Sequence, residues 1–172
     1  MRCSAHILNL IVREGLVDMD ETIVKVRKSM RYVRSSPQRQ NTFKLCAEKE
    51  KVDFKNQLCL DMPTRWNYTY IMLEKAEKYQ KTFERLEEDD PNFLMTIRDE
   101  AKEEGNDRHE VAWGMDDVDW EKIRIFSKFL KIFYDATLRF LGANYVTSNS
   151  FFLELMSIHD TIELSMKKIV IC

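Results

Sequence analysis

Apolar residues recur every three or four positions over most of the chain, and the interruptions in that rhythm divide it into helices. Ile7, Leu10 and Ile11 fall at helical spacing, with Gly15 where a C-terminal cap belongs. Cys3, His6 and Leu10 share one side of this short first helix. Asp20 can cap a second helix whose apolar positions are Ile23, Val26, Met30 and Val33. Lys25, Lys28, Arg31 and Arg34 occupy largely other positions, so a basic flank is expected along it. Ser35-Ser36-Pro37 ends the helix, because the residue before a proline is driven out of the helical region. A weaker helix over 38–50 would turn Phe43, Cys46 and Ala47 inward.

The rhythm then changes. Leu58, Leu60 and Met62 alternate with Cys59 and Asp61, a period of two that predicts a strand or extended segment ending at Pro63. From Thr64 the helical period returns. Trp66, Tyr70, Leu73, Ala76, Gln80, Phe83 and Leu86 trace a single stripe over about six turns, and the acidic run before Pro91 closes it. Residues 89–115 carry few apolar anchors, which predicts a short helix followed by a loop. A long helix starts near Asp116 or Asp117 and runs through Trp120, Ile123, Phe126, Leu130, Phe133, Thr137 and Phe140 to Gly142. A last helix, 151–170, places Phe152, Leu155, Ile158, Ile162 and Met166 on one face. Amphipathic helices of this length need mutual burial, so the second half is expected to be a helical bundle.

Composition agrees with a helix-rich folded chain: 44% apolar and 33% charged residues, with 4 Gly and 3 Pro in 172 residues. The four cysteines have no regular spacing, so free thiols are expected rather than a disulfide framework. No apolar run approaches the roughly 20 residues that span a bilayer. The net charge of −2 conceals an asymmetry. Residues 1–60 carry 12 Lys and Arg against 7 Asp and Glu, a net of +5, while residues 84–121 carry 4 against 15, a net of −11. The basic front end suits phosphates, with Arg27, Lys28, Arg31, Arg34 and Arg39 as candidate contacts, although on charge alone solvated helix faces are the commoner explanation.

Candidate chemistry is sparse. Cys3-x-x-His6 could be half of a zinc site, but Cys46, Cys59, His109 and His159 supply no second close pair, so no metal site is expected. Asp116, Asp117 and Asp119 stand just before a helix, where capping explains them better than metal binding. No glycine-rich phosphate loop occurs. Arg65-Trp66 supports two readings. Trp66 is either the first core residue of its helix, in register with Tyr70 and Leu73, or a ring presented for an extruded base while Arg65 holds a phosphate.

The order of the pieces adds to this. CSAHILNLIV, YVRSSPQRQNTF, LCLDMPTRWNYTYIMLEKA, VDWEKIRIF and LGANYVTSNSFFLEL in succession resemble the hAT superfamily of DNA transposases, within it the plant RICESLEEPER-like branch that carries BED zinc fingers. The resemblance runs from Cys3 to about Met166 and weakens between Asp89 and Asp116. It implies a mainly α chain: residues 1–62 as part of an RNase H-like catalytic domain with its CxxH motif, and 63–172 as the start of an all-helical insertion domain at the RW motif. By resemblance Cys3 and His6 stand beside the catalytic centre, and Arg65 and Trp66 contact DNA, the Trp at the flipped base.

In that family two Asp and one Glu hold divalent metal, Mg or Mn, a BED finger holds zinc, and the full-length protein dimerises. None of those acids is identifiable among these residues, so the expectation is a fragment of a nuclear DNA-binding protein, without catalysis or cofactor of its own. The alternative expectation is a helical interaction module that self-associates or binds a partner.

Overall fold

The computed structural model describes residues 20–54, 58–62, 64–103 and 113–142, together with the single positions Val12 and Met156. Six helices lie among the described residues: α1 Asp20–Arg34, α2 Pro37–Lys49, α3 Trp66–Lys78, α4 Gln80–Asp89, α5 Asn92–Glu103 and α6 Asp117–Gly142. No strand occurs among them. The expected first and last helices, over 3–15 and 151–170, fall outside the described residues, as do Cys3 and His6, apart from helical positions at Val12 and Met156. Two compact units form, Asp18–Arg124 and a second of Met1–Val17 with Ile125–Cys172. The expected boundary at 62/63 falls inside the first of them.

In the 18–124 unit α1 is the central helix, touching α2, α3 and α5. Its expected apolar face, Ile23, Val26, Met30 and Val33, is buried as read. So are Thr22, Lys25, Lys28, Ser29 and Tyr32, because a helix with neighbours on several sides has little solvent face left. The expected basic flank is therefore corrected at Lys25 and Lys28, which face protein rather than water.

Helix α2 begins where the Ser-Ser-Pro sequence requires. Ser36 is extended at φ −151°, ψ 152°, its Oγ accepts the Arg39 N–H, and Pro37 takes the first helical position, where no amide donor is needed. Phe43, Cys46 and Ala47 are its buried residues, as expected. The helix ends in a pair of backbone bonds, Lys51 N–H to Glu48 C=O (3.1 Å) and Val52 N–H to Ala47 C=O (2.9 Å). That closure puts Lys51 at φ 57°, the left-handed position usually filled by glycine. Lys51→Gly is expected to raise stability by about 0.5–1 kcal/mol, the steric relief exceeding the added chain entropy; urea denaturation of the two proteins measures it.

The stripe read as a single helix over Trp66 to Leu86 is two. Tyr79, at φ −103°, ψ 15°, separates α3 from α4, its N–H shared between the Lys75 and Ala76 carbonyls. Neither proline nor glycine causes the break. The offset turns the Tyr79 ring inward, 5.7 Å from Phe43 and 5.6 Å from Phe54, while Gln80, expected inside, is left half-buried. Phe43 and Phe83 (4.8 Å) and Phe83 with Trp120 (6.4 Å) continue this aromatic core. Tertiary packing thus overrides a helical period that nothing local interrupts.

Residues 58–62 form no strand and find no ladder partner among the described residues. Leu58 is buried and Met62 exposed, and the one bridge pairs Met62 with Arg65 across a tight turn. Helix α6 starts with Asp116, whose Oδ1 accepts the Asp119 N–H at 2.8 Å, so capping is confirmed there. In the second unit Ser127, Leu130, Phe133, Ala136 and Thr137 are buried positions of α6, and Phe129 stands 4.9 Å from Phe133.

Candidate nucleic-acid interface

The cations of α1 divide into an inner and an outer set. Lys25 Nζ lies 2.7 Å from Asp119 Oδ2, and Thr22 Oγ1 donates to Asp119 Oδ1 at 2.7 Å. The two charged side chains are only 8% and 7% exposed. Burial pushes the Asp119 carboxyl up, but the hydrogen bonds from Lys25 and Thr22 and the Lys25 charge outweigh it and hold it below the ordinary aspartate range. Asp119 is therefore an interhelix tie and not a cap.

Arg27 grips Asp61 with both ends of its fork, Nε to Oδ1 at 2.8 Å and Nη2 to Oδ2 at 2.7 Å. Thr69 Oγ1 reaches the same Oδ2 at 3.5 Å, and the Asp61 side chain is 1% exposed. This acid, inside the LDMPTRW stretch, ties that segment to both α1 and α3. Lys28 is buried with its ammonium 5.6 Å from the centre of the Trp113 ring. Arg27 and Lys28, two of the five candidate phosphate contacts, thus have partners within the unit.

The outer set is Arg31, Arg34 and Arg39. Arg31 and Arg34 are exposed in the last turn of α1, where their charge also complements the helix dipole. Arg39 lies half-buried in the first turn of α2, its guanidinium 3.9 Å above the Tyr32 ring and Nη1 2.6 Å from Ser35 Oγ. Tyr32 in turn donates to Asp90 Oδ2 at 2.7 Å. Burial, the hydrogen bond to Asp90 and the Asp90 charge push the Tyr32 hydroxyl to about 12, although Arg39 pulls the other way. Beside this corner runs a polar cleft of about 760 Å³ lined by Ser35, Ser36, Gln38, Arg39, Asp89 and Asp90, among others.

At the RW turn, Arg65 N–H donates to Met62 C=O at 2.7 Å, and the Arg65 side chain is exposed. Trp66 opens α3 and is 6% exposed, on the same inward face as Tyr70 and Leu73. So placed, its ring has almost no face open to a base. Asn67 Oδ1, next in the motif, is buried with no hydrogen-bond partner among the described residues. Among those residues no group of three or more His, Cys, Asp and Glu stands together as a metal site.

Sequence reading missed three things: the Arg27–Asp61 clamp, the Lys25–Asp119–Thr22 tie and the Lys28–Trp113 contact. All three join residues more than 30 positions apart, and only the alternation of Lys25 and Lys28 with apolar residues could have hinted that α1 was enclosed.

Comparison with known proteins gives the context. The family model of the ZBED1 RNase-like helical domain matches residues 1–111. The chain is 32% identical over 154 residues to zinc finger BED domain-containing protein RICESLEEPER 2 of Oryza sativa subsp. japonica, covering 90% of this chain and 19% of that protein. It is 32% identical over 163 residues to a putative AC transposase of Zea mays, covering 95% of this chain and 18% of that one. A putative transcriptional regulator, tpeD, of Talaromyces stipitatus is 27% identical over 154 residues, covering 88% and 16%. The chain spans about a fifth of the length of the curated relatives it matches. No solved structure matches it.

Proposed function

We propose, because this chain belongs to the family of the ZBED1 RNase-like helical domain, that it acts as the helical part of a hAT-type, transposase-derived nuclear DNA-binding protein. Arg31, Arg34 and Arg39 meet phosphates, and Arg65 is a second contact at the RW turn. Arg27 and Lys28 serve the fold instead. Cutting of DNA is not assigned to the described residues. The Zea mays relative is called a transposase and the rice relatives BED zinc-finger proteins, and both kinds of name support the reading.

The observation that carries it is the division of the basic set. Arg31 and Arg34 are exposed and Arg39 is half-buried at one corner, whereas Lys25 and Lys28 are buried and Arg27 is clamped on Asp61, and phosphate contacts need accessible charge. Binding of duplex DNA should weaken steeply with salt. Replacing Arg31, Arg34 and Arg39 together with alanine should make the log–log salt slope shallower by about 2–3, one per lost phosphate contact. Lys28→Met should leave that slope unchanged. A fluorescence anisotropy titration at several salt concentrations reads both.

The alternative, a helical interaction module, draws on exposed large apolar side chains: Leu45 and Met95 in the 18–124 unit, Ile125 and Leu138 in the other. Apolar residues scattered singly are ordinary on a surface, which weakens that reading. Molecular mass measured across a concentration series tests it.

A further inference from the structure

The Ser-Ser-Pro corner is more than a helix stop. We propose that Ser36 is a phosphorylation site for a proline-directed protein kinase, and that the phosphate, once attached, is held in the cleft by Arg39 and the first turn of α2. Three features support it. Pro37 follows Ser36 directly and is exposed, as are Ser35 and Gln38, while Ser36 itself is half-buried, so an enzyme that reads a proline after its acceptor meets an exposed proline beside a partly exposed serine. Ser36 is already extended, at φ −151° and ψ 152°, because the following proline excludes the helical form. Ser35 and Ser36 form the link between α1, which ends at Arg34, and α2, which opens at Pro37. Finally, Ser36 lines the open cleft of about 760 Å³, which leaves room for a phosphoryl group.

In the transfer, Ser36 Oγ attacks the γ-phosphorus of ATP. The new O–P bond forms as the bond to the bridging oxygen of the β-phosphate breaks, ADP leaves, and the hydroxyl proton is released. The product carries a charge of about −1.5 to −2 with three strong acceptor oxygens. Its surroundings favour that charge. The Arg39 N–H already points at Ser36 Oγ from 3.2 Å, and the Arg39 guanidinium is anchored next door on Ser35 and Tyr32. Asp89 and Asp90 also face the cleft; Asp89 is neutralised by Lys49 at 2.7 Å and Arg85 at 3.2 Å, while the Asp90 carboxylate accepts from Tyr32 and opposes the phosphate that Arg39 attracts. Where the DNA reading of the preceding subsection holds, the same modification silences the corner, since the dianion offsets the charge of Arg34 and Arg39.

The test uses the whole chain with a purified proline-directed kinase and ATP, reading the position of the phosphoryl group by fragment mass spectrometry and the thermal midpoint before and after. Expected are one phosphoryl group on Ser36, none in Pro37→Ala, retention in Ser35→Ala, and a raised midpoint that Arg39→Ala abolishes. Pro37→Ala keeps the capping hydroxyl, so its loss of modification is not a folding failure. Phosphate on Ser35 instead of Ser36, no incorporation, or a lowered midpoint on modification overturns the proposal. DNA titration of the modified chain is separate: if the unmodified chain binds no DNA, the functional reading fails while the mapped site and the midpoint still decide this one.

Discussion

Asp119→Ala is expected to destabilise the 18–124 unit by about 3–5 kcal/mol, because it leaves the Lys25 ammonium buried without its counter-charge. Lys25 and Asp119 are 8% and 7% exposed, 2.7 Å apart, and Thr22 spans the remaining carboxylate oxygen. Removing one partner of such a pair costs far more than the pair contributes. The double replacement Lys25→Met with Asp119→Leu is accordingly expected to recover most of the loss, since two apolar groups of similar volume incur no desolvation penalty. Chemical denaturation of the two single variants and the double variant closes the cycle. A loss under about 1 kcal/mol in Asp119→Ala would mean that the tie is wet.

The same tie sets a pH dependence. The Asp119 carboxyl is held below its ordinary value in the folded chain, so the folded state binds its proton less tightly than the unfolded one. Its stabilisation is complete above the ordinary aspartate value of about 4 and is lost as pH falls through the depressed folded value. Wild-type stability should therefore fall below pH ~4 more steeply than that of the double variant.

Trp66→Ala is expected to cost a similar amount, about 3–5 kcal/mol, as the removal of a nearly enclosed indole from the first turn of α3. Total stabilities of small domains run about 5–15 kcal/mol, so the variant stands near the edge of folding. Trp66→Phe keeps an aromatic packing group and should lose clearly less. The outcome bears on function, because a ring whose task were base stacking would sit exposed and its removal would leave the denaturation midpoint unmoved. With 6% exposure, stacking would first require the ring to leave the core, and that cost exceeds the roughly 1–3 kcal/mol a stacked base returns.

Elements were legible where the signal was local. The apolar period of α1, its stop at Ser35-Ser36-Pro37, the inward trio Phe43, Cys46 and Ala47, and the Asp116 cap were all readable because neighbours in sequence determine them. The break at Tyr79 was not, because its cause is the pocket between Phe43 and Phe54, which only folding assembles. The alternation over 58–62 predicts a strand or extended segment, yet no strand forms there and burial falls from Leu58 to Met62 without alternating; its fastening, Asp61 to Arg27, was invisible because only folding assembles it. Charge was the least legible property. Lys25, Arg27 and Lys28 read as a solvated or phosphate-facing flank, whereas each has a long-range partner, with Lys25 and Lys28 buried and Arg27 partly so. The order of motifs, rather than any one of them, identified the family.

The central claim is that the accessible arginines of the α1–α2 corner, and not the enclosed cations of α1, carry contact with DNA. The most direct measurement is the salt slope of duplex binding for the wild-type chain beside the Arg31, Arg34 and Arg39 triple alanine variant. A steep wild-type slope that becomes shallower by about 2–3 in the variant is the expected result. Equal slopes in the two proteins, or binding indifferent to salt, would contradict it.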